Sequence, residues 1–488
     1  MDAEARRPRY AGLPAMLHRA SRVLVEYALL VGLPIAGVLL ALQLGSALVA
    51  PPGAAHDTVR AAAPVGAFSL PWLLLSVAVL VACARVAGLA ARAIGQPQVV
   101  GEMAMGIALG PSLLGWAAPA LSATLFPAAN HAHLNTLSQL GLLLFMFLVG
   151  LEFDLRRLRH LGHTAVLASH ASITLPMLLG VSLALYLYPR LSSADVRFHE
   201  FALFMGTAMS VTAFPVLARI LRERRLTDSR IGTVAIACAA VDDVTAWCLL
   251  AGIVALVRAS QHALPVPVMV GGLAAFIAVV ALLRRAGLGV FLASFEKRRR
   301  LSEDSVALLL TVVMLASVTT EWLGLHLLFG AFFVGVMLPK TEAFVDAVTA
   351  RFELVATTLL LPVFFAYTGL RTQIGLVVGA QMWFYCALIL VLAIVGKLVG
   401  SAVAARVTGL NTRDSLALGV LMNTRGLMEL VVLNLGLDLG IISPALFSML
   451  VVMALVTTVM TTPLLARLYP SAAAGVIPVA RPASAGHA

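Results

Sequence analysis

The chain reads as an all-α polytopic membrane protein with about 14 transmembrane helices, the number of apolar runs long enough to cross a bilayer. Three observations carry that reading. Of its 488 residues, 61% are hydrophobic and only 12% charged, whereas a soluble globular chain is about 45–50% apolar and about 25% charged. The apolar runs recur along nearly the whole length, separated by short basic or polar connections. A glycine motif from the first half of the chain also returns in the second, the mark of an internal repeat.

In order, spans are expected over roughly 24–49, 70–91, 98–116, 134–151, 164–187, 201–221, 231–257, 264–283, 304–320, 323–338, 354–375, 381–405, 414–437 and 444–468. The first is too long for a secretory signal and lacks a small-residue cleavage site, so it counts as an extra transmembrane helix. Lys and Arg gather in alternate connections, including Arg6 to Arg22, Arg156 to Arg159, Arg219 to Arg230 and Arg284 to Arg300. The opposite connections hold only Arg60, Arg190, Arg197, Arg258 and Arg371. The positive-inside rule then puts both termini in the cytoplasm of a cell (inner/plasma) membrane protein. The net charge of +11 is thereby explained without a nucleic-acid partner. The four cysteines all fall within spans and have no metal-ligand spacing, so they read as small buried side chains outside any disulfide framework. The Ala/Pro/Gly-rich segment 471–488 is expected to be a disordered tail, with no soluble domain following the last span.

The echo lies between the third and tenth spans. Gly101-Glu-Met-Ala-Met-Gly106-Ile-Ala-Leu109-Gly-Pro111 and Gly330-Ala-Phe-Phe-Val-Gly335-Val-Met-Leu338-Pro339 share a G-x4-G-x-x-L pattern followed by proline. The next span closes in each case on Gly-Leu and a charged residue, Gly150-Leu151-Glu152 and Gly369-Leu370-Arg371. The topology sends one copy outward and the other inward, so the repeats are inverted, as in many secondary transporters. The domain plan is 1–68 for the N-terminus and extra helix, 69–257 for the first repeat and 258–303 for a linker helix and basic loop. The second repeat occupies 304–470, before the tail. Corresponding spans should be interrupted where they meet an ion. The sixth carries Ser210-Val-Thr212-Ala-Phe-Pro215 and the thirteenth Asn423-Thr424-Arg425-Gly426. Freed backbone groups survive in a bilayer only where they line a cavity.

Asp242 and Asp243 stand side by side in the apolar seventh span. An ionised carboxylate at the bilayer centre costs roughly 2.5–3.5 kcal/mol on insertion scales, so such a pair is functional by default. Asp243 lies 13 residues from Arg230 and Lys397 lies 9 from Arg406, depths of about 20 Å and about 14 Å at helical rise. A lysine stem and helix tilt can close that gap, making Lys397 the expected charge partner. Apolar burial and a like-charged neighbour favour a neutral acid while an ammonium favours a carboxylate, so the constellation would titrate as a coupled unit. Arg425 and Glu429, spaced i, i+4, form either a structural ion pair or a gate. Glu102 sits near the cytoplasmic end of its span, where snorkelling to water is cheap. His170 and His326 read as packing residues, and Lys340 to Phe352 as an amphipathic surface connector. There is no P-loop, nucleophile motif or metal-ligand spacing, so neither an enzyme nor a cofactor is expected.

The stretches Gln98 to Glu102, Gly110-Pro111-Ser112, Ser210 to Leu221 and Met422 to Gly426 resemble the monovalent cation:proton antiporter-2 family, in particular its plant cation/H⁺ exchanger branch. The resemblance extends from about residue 71 to 467. It implies an NhaA/NapA-like inverted-repeat fold with two crossing discontinuous helices, elevator-like transport of K⁺ or Na⁺ against H⁺, and a homodimer in the lipid bilayer. By position, Asp243 would bind cation and proton in turn, with Ser210 and Thr212 at the first crossing and Asp242 paired to Lys397. Pro215, Asn423, Thr424, Arg425, Glu429 and Glu102 would serve helix crossing and gating. Plant exchangers usually have Asn-Asp where this chain has Asp242-Asp243; the Asp-Asp form resembles NapA-like antiporters associated with electrogenic exchange. A proton-driven exporter of an organic substrate, or a channel or sensor on the same fold, are the alternative functions.

Overall fold

A computed structural model describes residues 21–51 (except 22), 69–152, 163–261 (except 228), a few positions between 271 and 282, 301–323 and 326–470. The described elements are helical: α1 (Val23–Gly45), α2 (Leu70–Ala93), α3 (Gln98–Leu109), α4 (Ala128–Glu152), α5 (His163–Leu191), α6 (Phe198–Ser210), α7 (Phe214–Glu223) and α8 (Arg230–Gln261). Then follow α9 (Glu303–Trp322), α10 (Leu327–Met337), α11 (Glu342–Val355), α12 (Leu361–Arg371), α13 (Gly379–Val407), α14 (Thr412–Met422), α15 (Leu427–Asp438) and α16 (Pro444–Leu468).

Twelve helical stretches among the described residues are long and apolar enough to span a membrane. The tenth expected span is a helix of only 11 residues, α10, and the eighth falls largely outside the described residues, as do the tail and most of the 258–303 linker. The expected connector at Lys340 to Phe352 is instead helix α11, continuous with α12 through a π-turn at Ala356–Leu360. Its Phe344, Val348 and Phe352 are buried at helical spacing, so packing overrides the polar look of the segment.

The helices form two bundles. One contains α2, α3, α4 and α9 to α12. The other gathers α5 to α8 and α13 to α16, with α1 laid against α5. In the first bundle the echoed glycines are the points of closest approach. Gly106 on α3 meets Gly369 on α12, and Gly335 on α10 meets Gly150 on α4. A Cβ at Gly106 would lie 2.2 Å from the Ala366 carbonyl, and one at Gly335 would lie 2.3 Å from that of Phe147. The two copies of the motif therefore build two equivalent crossings, the inverted repeat in packing form, where small residues let backbones touch.

Prolines leave carbonyls without helical donors, and other helices answer them. Leu30, four residues before Pro34, accepts from Thr174 Oγ1 at 3.1 Å. The Thr357 carbonyl, which Pro362 leaves open in the π-turn register, accepts from Arg85 at 3.0 Å. The Val459 carbonyl, four before Pro463, accepts from Gln96 at 3.3 Å. Lys340 does the same at two helix ends, donating to the carbonyls of Gly150, Leu151 and Gly335 at 2.7–2.8 Å.

The close crossings predict an asymmetry between glycines. Gly335→Ala should overpack, costing about 1–3 kcal/mol and lowering the melting temperature of the detergent-purified protein. Gly252→Ala, in α8 with nothing within 4 Å of its would-be Cβ, should leave the melting temperature unchanged or raise it.

Candidate functional site

The second bundle contains both helix interruptions. α6 stops at Ser210 because Val211 and Ala213 are extended, and α7 restarts with Pro215 in its first turn, the position where a missing N–H costs nothing. α14 stops at Met422 and α15 restarts after an extended Gly426. The two gaps touch: the Ala213 N–H donates to the Thr424 carbonyl at 3.0 Å. Thr212 Oγ1 lies 3.0 Å from the Met422 carbonyl. A Cβ on Gly426 would lie 2.6 Å from Val216 Cγ2.

Asp242 and Lys397, both with no exposed surface, form an ion pair of 3.0 Å beside this crossing. Ser169 donates to Asp242 Oδ1 at 2.5 Å. Ser172 lies 3.1 Å and 2.8 Å from its two oxygens, and Thr212 lies 2.8 Å from Oδ2. Lys397 also donates to Thr212 Oγ1 at 2.6 Å. Asp243 is different. It retains 6% exposure, its Oδ1 is buried without a hydrogen-bond partner, and the Phe214 N–H at the start of α7 faces its carboxyl group. The positive end of a half-helix thus points at the less satisfied aspartate.

Arg425 is wholly buried. Its Nη1 donates to the Ala208 carbonyl at 2.6 Å and to Glu429 at 2.7 Å, and its Nη2 to the Met209 carbonyl at 2.6 Å. It therefore covers the open C-terminal carbonyls of α6, where a cation also complements the helix dipole. Thr424 Oγ1 turns back to the Leu421 carbonyl at 2.6 Å. Asn423 is 1% exposed, with its side-chain oxygen unpartnered.

Other expected residues sit elsewhere or act otherwise. The Ser210 hydroxyl is engaged by the carbonyls of Gly206 at 2.6 Å and Ile173 at 3.0 Å rather than by either aspartate, because a serine at a helix end can bond back to the preceding turn. Glu102 does not snorkel: it is 4% exposed and accepts from Gln98 at 2.6 Å. It lines a cavity of about 310 Å³ between the bundles with Arg85, Arg92, Pro215, Arg219 and Leu427. His170 packs its ring against Tyr27, with Nδ1 unpartnered, and His326 caps α10. Cys248 is exposed, not buried, whereas Cys238 and Cys386 are buried; all four cysteines are free. Motif reading passed over Ser169 and Ser172. Their signal was a pair of hydroxyls three apart in an apolar span, which alone does not name a partner.

The chain is similar to known proteins. The chain is 41% identical over 402 residues to "Na(+)/H(+) antiporter NhaS4" of Synechocystis, covering 82% of this chain and 98% of that one. It is 39% identical to "Cation/H(+) antiporter 17" of Arabidopsis thaliana over 82% of this chain and 49% of the plant protein. It is 33% identical to "K(+)/H(+) antiporter 1" of Saccharomyces cerevisiae, covering 77% of this chain and 44% of the yeast one. The match thus spans about half the length of the plant and yeast relatives. Among solved structures, the sodium proton antiporter MjNhaP1 from Methanocaldococcus jannaschii superposes with a TM-score of 0.55, covering 81% of this chain and 96% of the archaeal one. At 12% identity that likeness speaks to the fold. With residues 76–467 matching the family model "Sodium/hydrogen exchanger, transmembrane", the chain belongs to the sodium/hydrogen exchanger family of multi-pass membrane proteins.

Proposed function

We propose that this protein exchanges a monovalent cation, K⁺ or Na⁺, for H⁺ across the membrane, by competition at Asp243. The observation that carries the reading is the contrast between the adjacent aspartates. Asp242 is tied to Lys397 and to three hydroxyls, whereas Asp243 keeps an unpartnered oxygen at the end of a half-helix. A buried carboxylate with a vacant oxygen takes either a proton or a cation, never both, so each drives release of the other. The printed names of the relatives, antiporters of Na⁺, K⁺ or cations with H⁺, support the same class of exchange. Asn423 and Thr212 line the crossing around the bound ion. Glu102, in the cavity between the bundles, lies on the cytoplasmic approach. The bundle holding the aspartates moves against the other, elevator-like, in a homodimer of a cell membrane with both termini cytoplasmic. The contact at which it slides includes Trp247 of α8 against Phe329 and Phe332 of α10, with ring centroids 5.3 and 5.9 Å apart.

In everted vesicles with a respiration-driven proton gradient, adding K⁺ or Na⁺ should dissipate the gradient reported by a pH-sensitive dye. Asp243→Asn, which can neither release a proton nor neutralise a cation, should respond like vesicles lacking the protein. A wild-type response in that variant would sink the proposal.

Arg425 is a structural cap in this reading, not a gate. Arg425→Ala strands Glu429 and two carbonyls, and breaking a buried pair this way costs about 3–5 kcal/mol, so the variant should lose monodisperse protein on size-exclusion chromatography. Glu429→Gln keeps both Arg425-to-carbonyl bonds but leaves the guanidinium without its counter-charge, so it should purify in lower yield than wild type and better than Arg425→Ala, and the protein that purifies should exchange near wild-type rates.

A further inference from the structure

The two copies of the repeat close on charges of opposite sign, Glu152 after Gly150-Leu151 and Arg371 after Gly369-Leu370. Each stands at the end of a first-bundle helix, α4 or α12. Each also faces the half-helix that restarts beyond the crossing in its own repeat, α7 or α15. Arg371 has closed on its partner. Its Nη1 donates to Asn434 Oδ1 at 3.0 Å and its Nη2 to Asp438 Oδ1 at 2.6 Å, both on α15. Asn434 returns a hydrogen to Thr368 Oγ1 of α12 at 2.9 Å. Just past α12, the Gln373 N–H donates to Ser448 Oγ of α16 at 3.0 Å. Polar contacts therefore bind the two bundles together at this end. Glu152 is not so engaged. It interacts electrostatically with Arg222 of α7 and with Glu353 of α11, yet it forms no ion pair with Arg222, and both residues are exposed. Arg219, one turn earlier on α7, lines the cavity of about 310 Å³ that lies between the bundles here. The positions nevertheless correspond. Arg222 lies eight residues after Phe214 at the start of α7, and Asn434 lies seven after Leu427 at the start of α15. Each repeat thus sets a charged residue of the first bundle opposite an answering group of the second, with the signs exchanged.

We propose that Arg371 and Glu152 are positioning residues that act in alternation: Arg371 with Asn434 and Asp438 holds the arrangement described here, and Glu152 with Arg222 holds the opposite one, in which Arg371 is released. The proposal rests on the antiport reading above and deepens it, by naming the groups that hold the bundle carrying Asp243 at each limit of its movement. In that reading Arg371 shuts the external face while the cavity beside Arg219 opens to the cytoplasm. Packed bundles move as bodies, so drawing α7 toward α4 withdraws α15 from α12. The two contacts are therefore never closed at once. A partly exposed ion pair is weak enough to be broken in every cycle, in contrast to the buried pair of Asp242 and Lys397. Neither contact touches the transported ion. Each sets only the balance between two arrangements, so weakening one favours the other.

The test uses the full chain in proteoliposomes, with exchange followed by an internal pH dye. Two cysteine pairs, Arg371→Cys with Asp438→Cys and Glu152→Cys with Arg222→Cys, are compared with protein carrying only its native cysteines. A short bifunctional methanethiosulfonate should cross-link both pairs and arrest exchange in each, and reduction should restore it. The second pair is decisive, since its residues are not joined in the arrangement described here. Adding Arg371→Gln to that pair should speed its cross-linking by about two- to fivefold, the worth of a partly exposed ion pair, and Arg371→Lys should leave the rate near its original value. If the second pair never cross-links in vesicles that exchange, the proposal is overturned and antiport stands; a rate indifferent to Arg371→Gln has the same meaning. No cation-dependent pH change in the wild-type protein removes the antiport reading and this proposal with it. Where a cysteine pair fails to fold, charge reversal decides. Glu152→Arg should slow exchange by roughly fivefold, and Arg222→Glu added to it should restore the rate by re-forming the pair. A double variant as slow as the single one overturns the proposal.

Discussion

The ion pair between Asp242 and Lys397, 3.0 Å long and without exposed surface, is the interaction around which the second bundle is arranged. Charges that leave water for a membrane interior must find their partners inside the protein, because desolvation exceeds what one contact returns. Three helices and one helix break supply those partners. α5 brings Ser169 and Ser172, α8 the aspartate, α13 the lysine, and the gap after α6 brings Thr212. The two interrupted helices cross beside the pair, where their unpaired backbone groups are answered by one another and by polar side chains.

The same requirement explains several polar residues outside the aspartate cluster. Arg85, Gln96 and Thr174 each donate to a carbonyl that a proline has deprived of its helical partner. Lys340 gathers three carbonyls at the ends of α4 and α10, and Arg425 gathers two at the end of α6. Some charged residues in apolar segments thus complete the backbone of a neighbouring helix, whereas Asp242 and Lys397 answer each other. Asp243 belongs to neither group, and one of its oxygens is buried without a hydrogen-bond partner.

The division into bundles gives the site its setting. The first bundle is closed by glycine crossings, in which Gly106 and Gly335 bring backbones into contact, and such packing has little room to deform. The second is held by the polar crossing and touches the first through aromatic faces and a cavity beside Glu102. Tight packing within bundles and looser, partly polar contact between them suits rigid-body movement of one against the other.

Much of this was legible in the residues alone. Apolar run length determined the spans, since a bilayer imposes one length on every helix that crosses it. The cost of an intramembrane charge singled out Asp242, Asp243 and Lys397. Proline and glycine with polar neighbours marked both interruptions. The short α10 and the merging of α11 with α12 escaped, because hydropathy reports composition and cannot tell where packing lets a helix stop or continue. Tertiary structure alone decided which polar group answers which. Ser169 and Ser172 look like ordinary helix serines, and Arg425 shows only its i, i+4 partner Glu429, until the facing helices bring Asp242 and the carbonyls of Ala208 and Met209 into place. A hydroxyl or guanidinium has no partner in sequence; the partner is whatever unsatisfied oxygen the fold brings within about 3 Å of it.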